Sequence, residues 1–247
     1  MRTILEFFLQ LYLLPLKFSP RLARYVKGKI LKHSNHYNST LDVISRYFRE
    51  DRHPVVDIGA YDGDSTYYFA KHLPNNKILG FEPNPEPFSR AKSTVHQYPN
   101  VDLFNIGFAG RTGEMSLFVT YDGVSSSLLE VIENDEFRYE KSLPVKISTL
   151  DTFFHSYTGI LLIKLDVQGT ELEILKSGKE TLSKTRLVLT EVLNASLYDG
   201  GCQYFEVDEL LRALGFKVHS IFADYNHAGT RYFDILYINE KLVHSKE

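Results

Sequence analysis

The 247-residue chain holds a single cysteine, Cys202, so no intrachain disulfide can form, and a reducing cytoplasm is the setting that fits. No apolar run reaches the ~18 residues that a membrane span requires. Both phosphate-cradling glycine motifs are missing. G-x-x-x-x-G-K-[ST] fails because Gly63 is followed by Asp64 and Ser65, and Tyr61 occupies the middle glycine position of G-x-G-x-x-G. Excess charge is also absent: the net charge is −3 and the pI near 6.3, so nothing global points to nucleic acid. There are no repeats and no low-complexity tract. With 43% hydrophobic and 24% charged residues, the composition suits one globular domain over 41–247 with an extension over 1–40.

The extension differs in charge from the rest. Residues 1–32 carry seven Lys/Arg and one acid, Glu6, a net of +6, while 33–247 carry 21 basic and 30 acidic residues, a net of −9. Ile4, Phe7, Phe8, Leu11 and Leu14 recur at helical spacing with Glu6 and Gln10 between them. The basic n-region is weak and no small-residue cleavage site follows, which argues against a signal peptide. Two readings stand. One is a basic amphipathic helix making peripheral contact with an anionic membrane or a partner. The other is a helix packed on its own domain or on a second copy in a homo-oligomer.

From residue 41 the pattern alternates. A helix is expected over Leu41–Phe48, strands over Val55–Ile58, Lys77–Phe81 and Val101–Ile106, and helices over Ser65–His72 and Glu86–His96 between them. Glu114–Val119 alternates like an antiparallel strand. Residues 120–142 read as a long loop whose acidic stretch 130–140 forms a solvated edge. Val145–Ile147 reads as a short strand and Leu150–Phe154 as a helical turn. Ile160–Asp166 and Leu187–Glu191 are apolar strands, and a helix follows the first near Thr170. Phe205–Leu214 reads as a helix closed by Gly215, and Lys217–Ile221 with Phe233–Ile238 as a terminal antiparallel pair. Apolar strands alternating with helices give an α/β fold: a mostly parallel sheet covered on both faces.

Val55-Val56-Asp57-Ile58-Gly59-Ala60-Tyr61-Asp62-Gly63 is a strand running into a glycine turn and then a helix, and Phe81-Glu82 ends the next strand. This is a nucleoside-binding arrangement. Asp57, Asp62 and Asp64 would repel a pyrophosphate. A sulfonium cofactor with an amino-acid tail and a bare ribose, S-adenosylmethionine, fits better, with Glu82 placed to accept both ribose hydroxyls. A nicotinamide-dependent oxidoreductase on this fold would need glycine at position 61. Asp57, Glu82, Asp166 and Glu191 all fall at strand ends, where open α/β sheets bind ligands.

These segments, with Ser125-Ser126-Ser127-Leu128, Thr190-Glu191-Val192, Phe233-Asp234-Ile235 and above all Lys164-Leu165-Asp166-Val167-Gln168-Gly169-Thr170-Glu171, resemble the FkbM family of S-adenosylmethionine-dependent methyltransferases over roughly residues 40–240. Gln168 departs from that pattern, which usually carries Glu at this position. The resemblance implies a Rossmann-like methyltransferase fold with a seven-stranded sheet whose last strand is antiparallel. It also implies O-methylation of a sugar, glycan or related small-molecule hydroxyl. By position, Asp57, Gly59, Ala60, Asp62 and Gly63 would surround the methionine part of the cofactor, and Asn105 and Ile106 the adenine.

Removing the acceptor's proton calls for a general base. Asp166 is the first candidate, with Lys164 on the same face of its strand two residues earlier. Asp166 has two alternative roles. With Glu191 and Asn194 it would bind Mg²⁺, or it would cap the helix near Thr170. His227, in the loop Asp224–Gly229, is a second candidate base. Tyr198, Asp199 and Tyr204 flank Gly200-Gly201 and either contact a sugar or belong to a flexible polar loop. A non-catalytic binding module on the same fold is the competing functional class.

Overall fold

The computed structural model describes residues 36–132, 138–195, 197–223 and 232–243. The chain divides into two compact units, Met1–Asp42 and Val43–Glu247. Residues 36–47 are helical (α1). The basic segment 1–32, most of the extension and residues 133–137 of the acidic loop lie outside the described residues. Among those described, no helix is long and apolar enough to cross a membrane.

The second unit is built on β1 Val55–Ile58, β2 Ile78–Phe81, β3 Val101–Phe104, β7 Ile160–Leu165, β8 Thr185–Leu193, β9 Phe216–Phe222 and β10 Tyr232–Asn239, arranged β3-β2-β1-β7-β8-β10-β9. Every residue of β1, β2 and β7 is buried, which explains their unbroken apolar sequences: helices cover both faces. The first five strands in this order run parallel, and β10 runs antiparallel to both β8 and β9. This matches the expected sheet, antiparallel last strand included.

Register, more than sequence proximity, assembles the site. Ile58 stands opposite Phe81 and Leu165, Phe81 opposite Phe104, and Leu165 opposite Thr190. The residues that follow, Gly59, Glu82, Asn105, Asp166 and Glu191, therefore form one row along the sheet's carboxyl edge. One step earlier, Asp57 stands opposite Lys164. Asp57 thus lies inside its strand, one position short of the edge row that the sequence suggested.

Helices α2 Asp64–His72 and α3 Pro85–Val95 cross over between the first three strands. On the main core side lie α4 Leu150–Phe154, α5 Glu171–Lys176, α6 Lys179–Ser183 and α7 Tyr204–Ala213. Helices of five or six residues do not persist alone in water. Leu150 and Phe154 of α4, Ile174 and Leu175 of α5 and Leu182 of α6 are fully buried in the main core, each contributing roughly 2 kcal/mol by burial. Packing, not propensity, holds these helices. Phe81 lies against Phe104, Phe108, Phe153 and Phe154 with ring centroids 4.9–6.0 Å apart, so the residue preceding Glu82 is fixed by an aromatic cluster.

A second, three-stranded sheet has β6 Tyr139–Ser148 between β4 Gly107–Phe108 and β5 Gly113–Thr120. Part of the expected loop 120–142 is therefore strand. The outer half of β6, Tyr139 to Ser142, is exposed, so its polar residues read as loop; pairing with β5 decides its state. Between β5 and β6, Ser127 bridges to Phe118 and Val131 to Tyr198.

Two turns at the edge are tightly determined. Gly59 has φ +81°, and a Cβ there would lie 1.9 Å from the Asp166 carbonyl oxygen. After β7, the backbone N–H groups of Val167 and Gly169 donate to the buried Glu171 carboxylate at 3.0–3.2 Å, and the N-cap residue Thr170 makes no side-chain cap bond. Asp166 is not the cap of α5. Burial pushes the Glu171 carboxyl up to about 7, despite the N–H bonds that pull it down. The Cys202 thiol, 3.5 Å from Glu171, is pushed up to about 12 by burial and then by that carboxylate.

Two outcomes are expected. Gly59→Ala should destabilise by more than ~2 kcal/mol in denaturant titration, from backbone strain and the clash with Asp166. A carboxyl raised above its unfolded value of 4.5 makes the fold lose stability as pH rises from 4.5 through 7. Glu171→Gln should therefore gain melting temperature relative to the parent between pH 5 and pH 8; an unchanged difference would show that Glu171 is ionised throughout.

Candidate active site

The glycine turn is sewn to the end of β2. Gly59 and Ala60 N–H both donate to the Phe81 carbonyl, at 3.1 and 2.9 Å, and Gly63 N–H donates to the Ala60 carbonyl. Tyr61 has φ +49°, and its N–H donates to Glu82 Oε2 at 2.9 Å while Asn84 N–H donates to Oε1 at 2.8 Å. Glu82 is 7% exposed, and burial raises its carboxyl to about 7. Each Glu82 oxygen thus takes one backbone donor and keeps capacity to accept a second. Gly63, at φ +87°, caps α2, and a Cβ would meet the Ala91 backbone at 2.9 Å. The Asp62 carbonyl accepts from Thr94 Oγ1. Asn105 donates its amide to the Glu82 and Pro83 carbonyls at 2.8 and 2.9 Å, and Ile106 packs on the main core.

Asp57 is fully buried. Its Oδ2 accepts from Ser65 Oγ and Thr66 Oγ1 of α2 at 2.7 and 2.6 Å, and Oδ1 lies 3.2 Å from Lys164 Nζ. Oδ1 has no aligned hydrogen bond, so its compensation is ionic. Asp57 organises the loop from beneath; its partners are protein groups. Lys164, 5% exposed, also donates to the Gly59 carbonyl at 3.2 Å and lies 3.6 Å from Asp166 Oδ2. One buried ammonium therefore joins the strand beneath the glycine turn, the turn itself and the edge carboxylate. The Asp166 side chain is 38% exposed.

On the other side, Gln168 Nε2 donates to Asp166 Oδ1 and to Glu191 Oε2, both at 2.9 Å. The Tyr198 hydroxyl is 2.7 Å from Gln168 Oε1 and 3.0 Å from the Ser125 carbonyl, and Ser127 Oγ donates to the Gln168 carbonyl at 2.7 Å. Burial, then the Glu191 charge, holds the Tyr198 phenol well above its ordinary range, so it serves as a neutral donor.

Register places Glu82 and Asp166 on the same edge row, with Lys164 3.6 Å from Asp166. Several other expectations change. The Mg²⁺ site of Asp166 and Glu191 does not fit, because the Gln168 amide occupies the position between them. Among the described residues no cluster of three or more His, Cys, Asp or Glu is arranged for a metal. Tyr198 is 2% exposed and engaged, so it is no stacking platform. Asp199 pairs through its backbone with Glu130. Tyr204 lines a cavity of about 420 Å³ with Asn194, Asp208, Val218, Ile221 and Phe233. His227 lies outside the described residues. The roles of Ser127, Tyr198 and Gln168 as one cluster were missed. Their motifs stand out in sequence, but nothing there pairs them across ~40 residues.

The Methyltransferase FkbM domain model matches residues 57–218. A 2-O-methyltransferase NoeI of Sinorhizobium fredii is 28% identical over 194 residues, covering 73% of this chain and 79% of its own. A putative rRNA methylase from Clostridium thermocellum shares the fold at TM-score 0.50 and 12% identity, covering 82% of this chain and 94% of its own. An rRNA methylase from Streptococcus thermophilus gives TM-score 0.46 at 12% identity over 82% and 94% of the two chains. The family match spans well over half of the chain and sets aside the oxidoreductase alternative: this chain belongs to the FkbM family of S-adenosylmethionine-dependent methyltransferases.

Proposed function

We propose that the protein methylates a hydroxyl of a sugar, a glycan or a related small molecule. The observation that carries this reading is the Asp166 carboxylate, half-exposed on the edge row between the Glu82 turn and Glu191 and pinned from both sides. Transfer to an oxygen is supported by the 2-O-methyltransferase relative, and the sugar or glycan class by the resemblance described above.

The residues fit the cofactor. Each Glu82 oxygen has acceptor capacity left for a ribose diol, and the Asp62 and Asp64 carboxylates at the Gly59–Gly63 turn disfavour a phosphate there. Ala60, Asp62 and the turn backbone would hold the amino-acid part, with Asp57 bracing them from below. Asn105 shapes the adenine side through its hold on the Glu82–Pro83 backbone, and Ile106 belongs to the apolar wall behind it. When bound, S-adenosylmethionine supplies an electrophilic methyl carbon and a thioether leaving group. Asp166 then accepts the proton from the attacking hydroxyl. Lys164 and Gln168 fix one oxygen each, so the base is held in place before the acceptor arrives.

Glu82→Ala should weaken S-adenosylhomocysteine binding by about 10- to 100-fold in titration calorimetry, the loss of charged hydrogen bonds. In the parent, affinity should fall as pH drops below 7, because Glu82 takes a proton there and stops accepting from both hydroxyls. The Glu82→Gln variant should show no such slope. Asp166→Asn should bind S-adenosylhomocysteine within about twofold of the parent, yet lose ~10²–10⁴ in turnover on a hydroxylated acceptor. Equal turnover would remove Asp166 as the base.

A further inference from the structure

Tyr198 belongs to the chain between β8 and α7, yet a distant segment sets its position. Its backbone bridges to Val131. On either side Ile132 N–H donates to the Leu197 carbonyl at 3.0 Å and Asp199 N–H to the Glu130 carbonyl at 2.9 Å. The ring is 2% exposed and packs with Leu193 and Leu197. It also lies against the turn after β7: a Cβ at Gly169 would meet its Cδ2 at 3.2 Å. Backbone pairing and close packing therefore fix where the hydroxyl is delivered.

That hydroxyl lies 2.7 Å from Gln168 Oε1 and 3.0 Å from the Ser125 carbonyl. A phenol has one proton and both neighbours are acceptors, so the shorter contact takes the larger share of it. At the other end of the amide, Nε2 donates to Asp166 and to Glu191, both at 2.9 Å. Those two acceptors select the amide orientation, because Oε1 in the same place would lose both bonds. They do not fix the amide in space, since the last torsion of a glutamine is broad. A donor on Oε1 does, and Tyr198 is that donor. The Gln168 backbone is held separately: at φ +60°, its carbonyl accepts from Ser127 Oγ at 2.7 Å. Asp166 keeps Lys164 at 3.6 Å on its Oδ2, and Lys164 in turn has Asp57 at 3.2 Å. Loss of the Tyr198 hydroxyl removes neither of these charged contacts.

We propose that Tyr198 is a positioning residue of the methyl-transfer site: acting through the Gln168 amide, its hydroxyl sets the direction of the Asp166 carboxylate. The chain over 130–132, which places Tyr198, is then part of what aims the base. The proposal rests on the reading of Asp166 given above.

The test compares the full-length parent with Tyr198→Phe, which removes the hydroxyl and keeps the ring. Two-dimensional amide NMR reads the Gln168 side-chain NH₂ pair, identified by its loss in Gln168→Met. In Tyr198→Phe that pair should shift and exchange faster with solvent, while the Tyr61 amide on Glu82 stays where it is. An unmoved pair would overturn the proposal. With methyl glycosides as acceptors, kcat should fall about tenfold, with KM and S-adenosylhomocysteine affinity within about twofold of the parent. Gln168→Met should lower kcat at least as much, and adding Tyr198→Phe to it should cost nothing further, because both cut one link. Losses that multiply, or a parental kcat in Gln168→Met, would refute the positioning role. Should Tyr198→Phe fail to fold, Gln168→Met carries the turnover test, since it breaks the same link from the other end. A parent without turnover, but with the NMR pair moving as expected, would sink the functional reading and leave the hold of Tyr198 on Gln168 standing.

Discussion

Lys164 is the charge on which the edge of the sheet is organised. Taking an ammonium and a carboxylate out of water costs several kcal/mol each, and attraction offsets this only when geometry and additional hydrogen bonds are good. The geometry comes from register. Lys164 and Asp57 are directly opposite on adjacent parallel strands, their side chains on one face, 3.2 Å apart. The additional bonds come from Ser65 and Thr66 on Asp57 and from the Gly59 carbonyl on Lys164. The same ammonium then has Asp166 within 3.6 Å at the solvent side. The glycine turn and the end of β7, separated by more than a hundred residues, are thereby held by one group. A one-residue slip of β7 against β1 would leave Asp57 buried with its two hydroxyl bonds but without its ionic partner, so the ion pair specifies register as well as the turn above it.

Two carboxyls near this network, Glu82 and Glu171, are raised to about 7, each mainly by burial. Both are fastened by backbone N–H groups of tight turns, Tyr61 and Asn84 in one case and Val167 and Gly169 in the other. The shared sign matters. Each contributes stability that is complete below 4.5 and is lost as pH climbs to about 7. At neutral pH the unliganded protein therefore carries an electrostatic cost at both turns. A diol on Glu82 would return donors to that carboxylate and offset the cost at one of them. Cofactor binding and the stability of the edge are then coupled through the same group.

Most elements were legible in the sequence, because strands buried on both faces write themselves as apolar runs; the seven-stranded sheet with its antiparallel last strand came from the family resemblance, and the strand order from neither. The positions of Glu82, Lys164 and Asp166 near the sheet's carboxyl edge were legible for a related reason: each is a polar residue that interrupts or ends such a run. What escaped notice was set by pairing across the chain. The outer part of β6 is exposed and polar, and only its partner β5 makes it a strand. Asp57 looked like an edge acid, although register places it one step inside, where its partners are Ser65, Thr66 and Lys164. Tyr198 looked like a surface aromatic beside two glycines, and is instead buried on Gln168. No periodicity signals a tyrosine hydroxyl that meets an amide thirty residues away.

Among the described residues, the non-glycine positions at positive φ fall where that edge is built. Tyr61 and Gln168 are the non-glycine residues at positive φ among those described, and each lies in the loop directly after an adjacent central strand, β1 or β7. In both cases what holds the backbone is hydrogen bonding to a carboxylate of the edge row: Tyr61 through its N–H on Glu82, Gln168 through its side chain on Asp166 and Glu191. Left-handed conformations cost of order 1–3 kcal/mol each, comparable to the charged hydrogen bonds that oppose the cost. The balance works in both directions. The carboxylates keep the turns strained, and the strained turns aim the carboxylates, so a change that neutralises an acid also releases the loop that orients it. Acid chemistry and backbone shape at this edge are therefore one coupled unit.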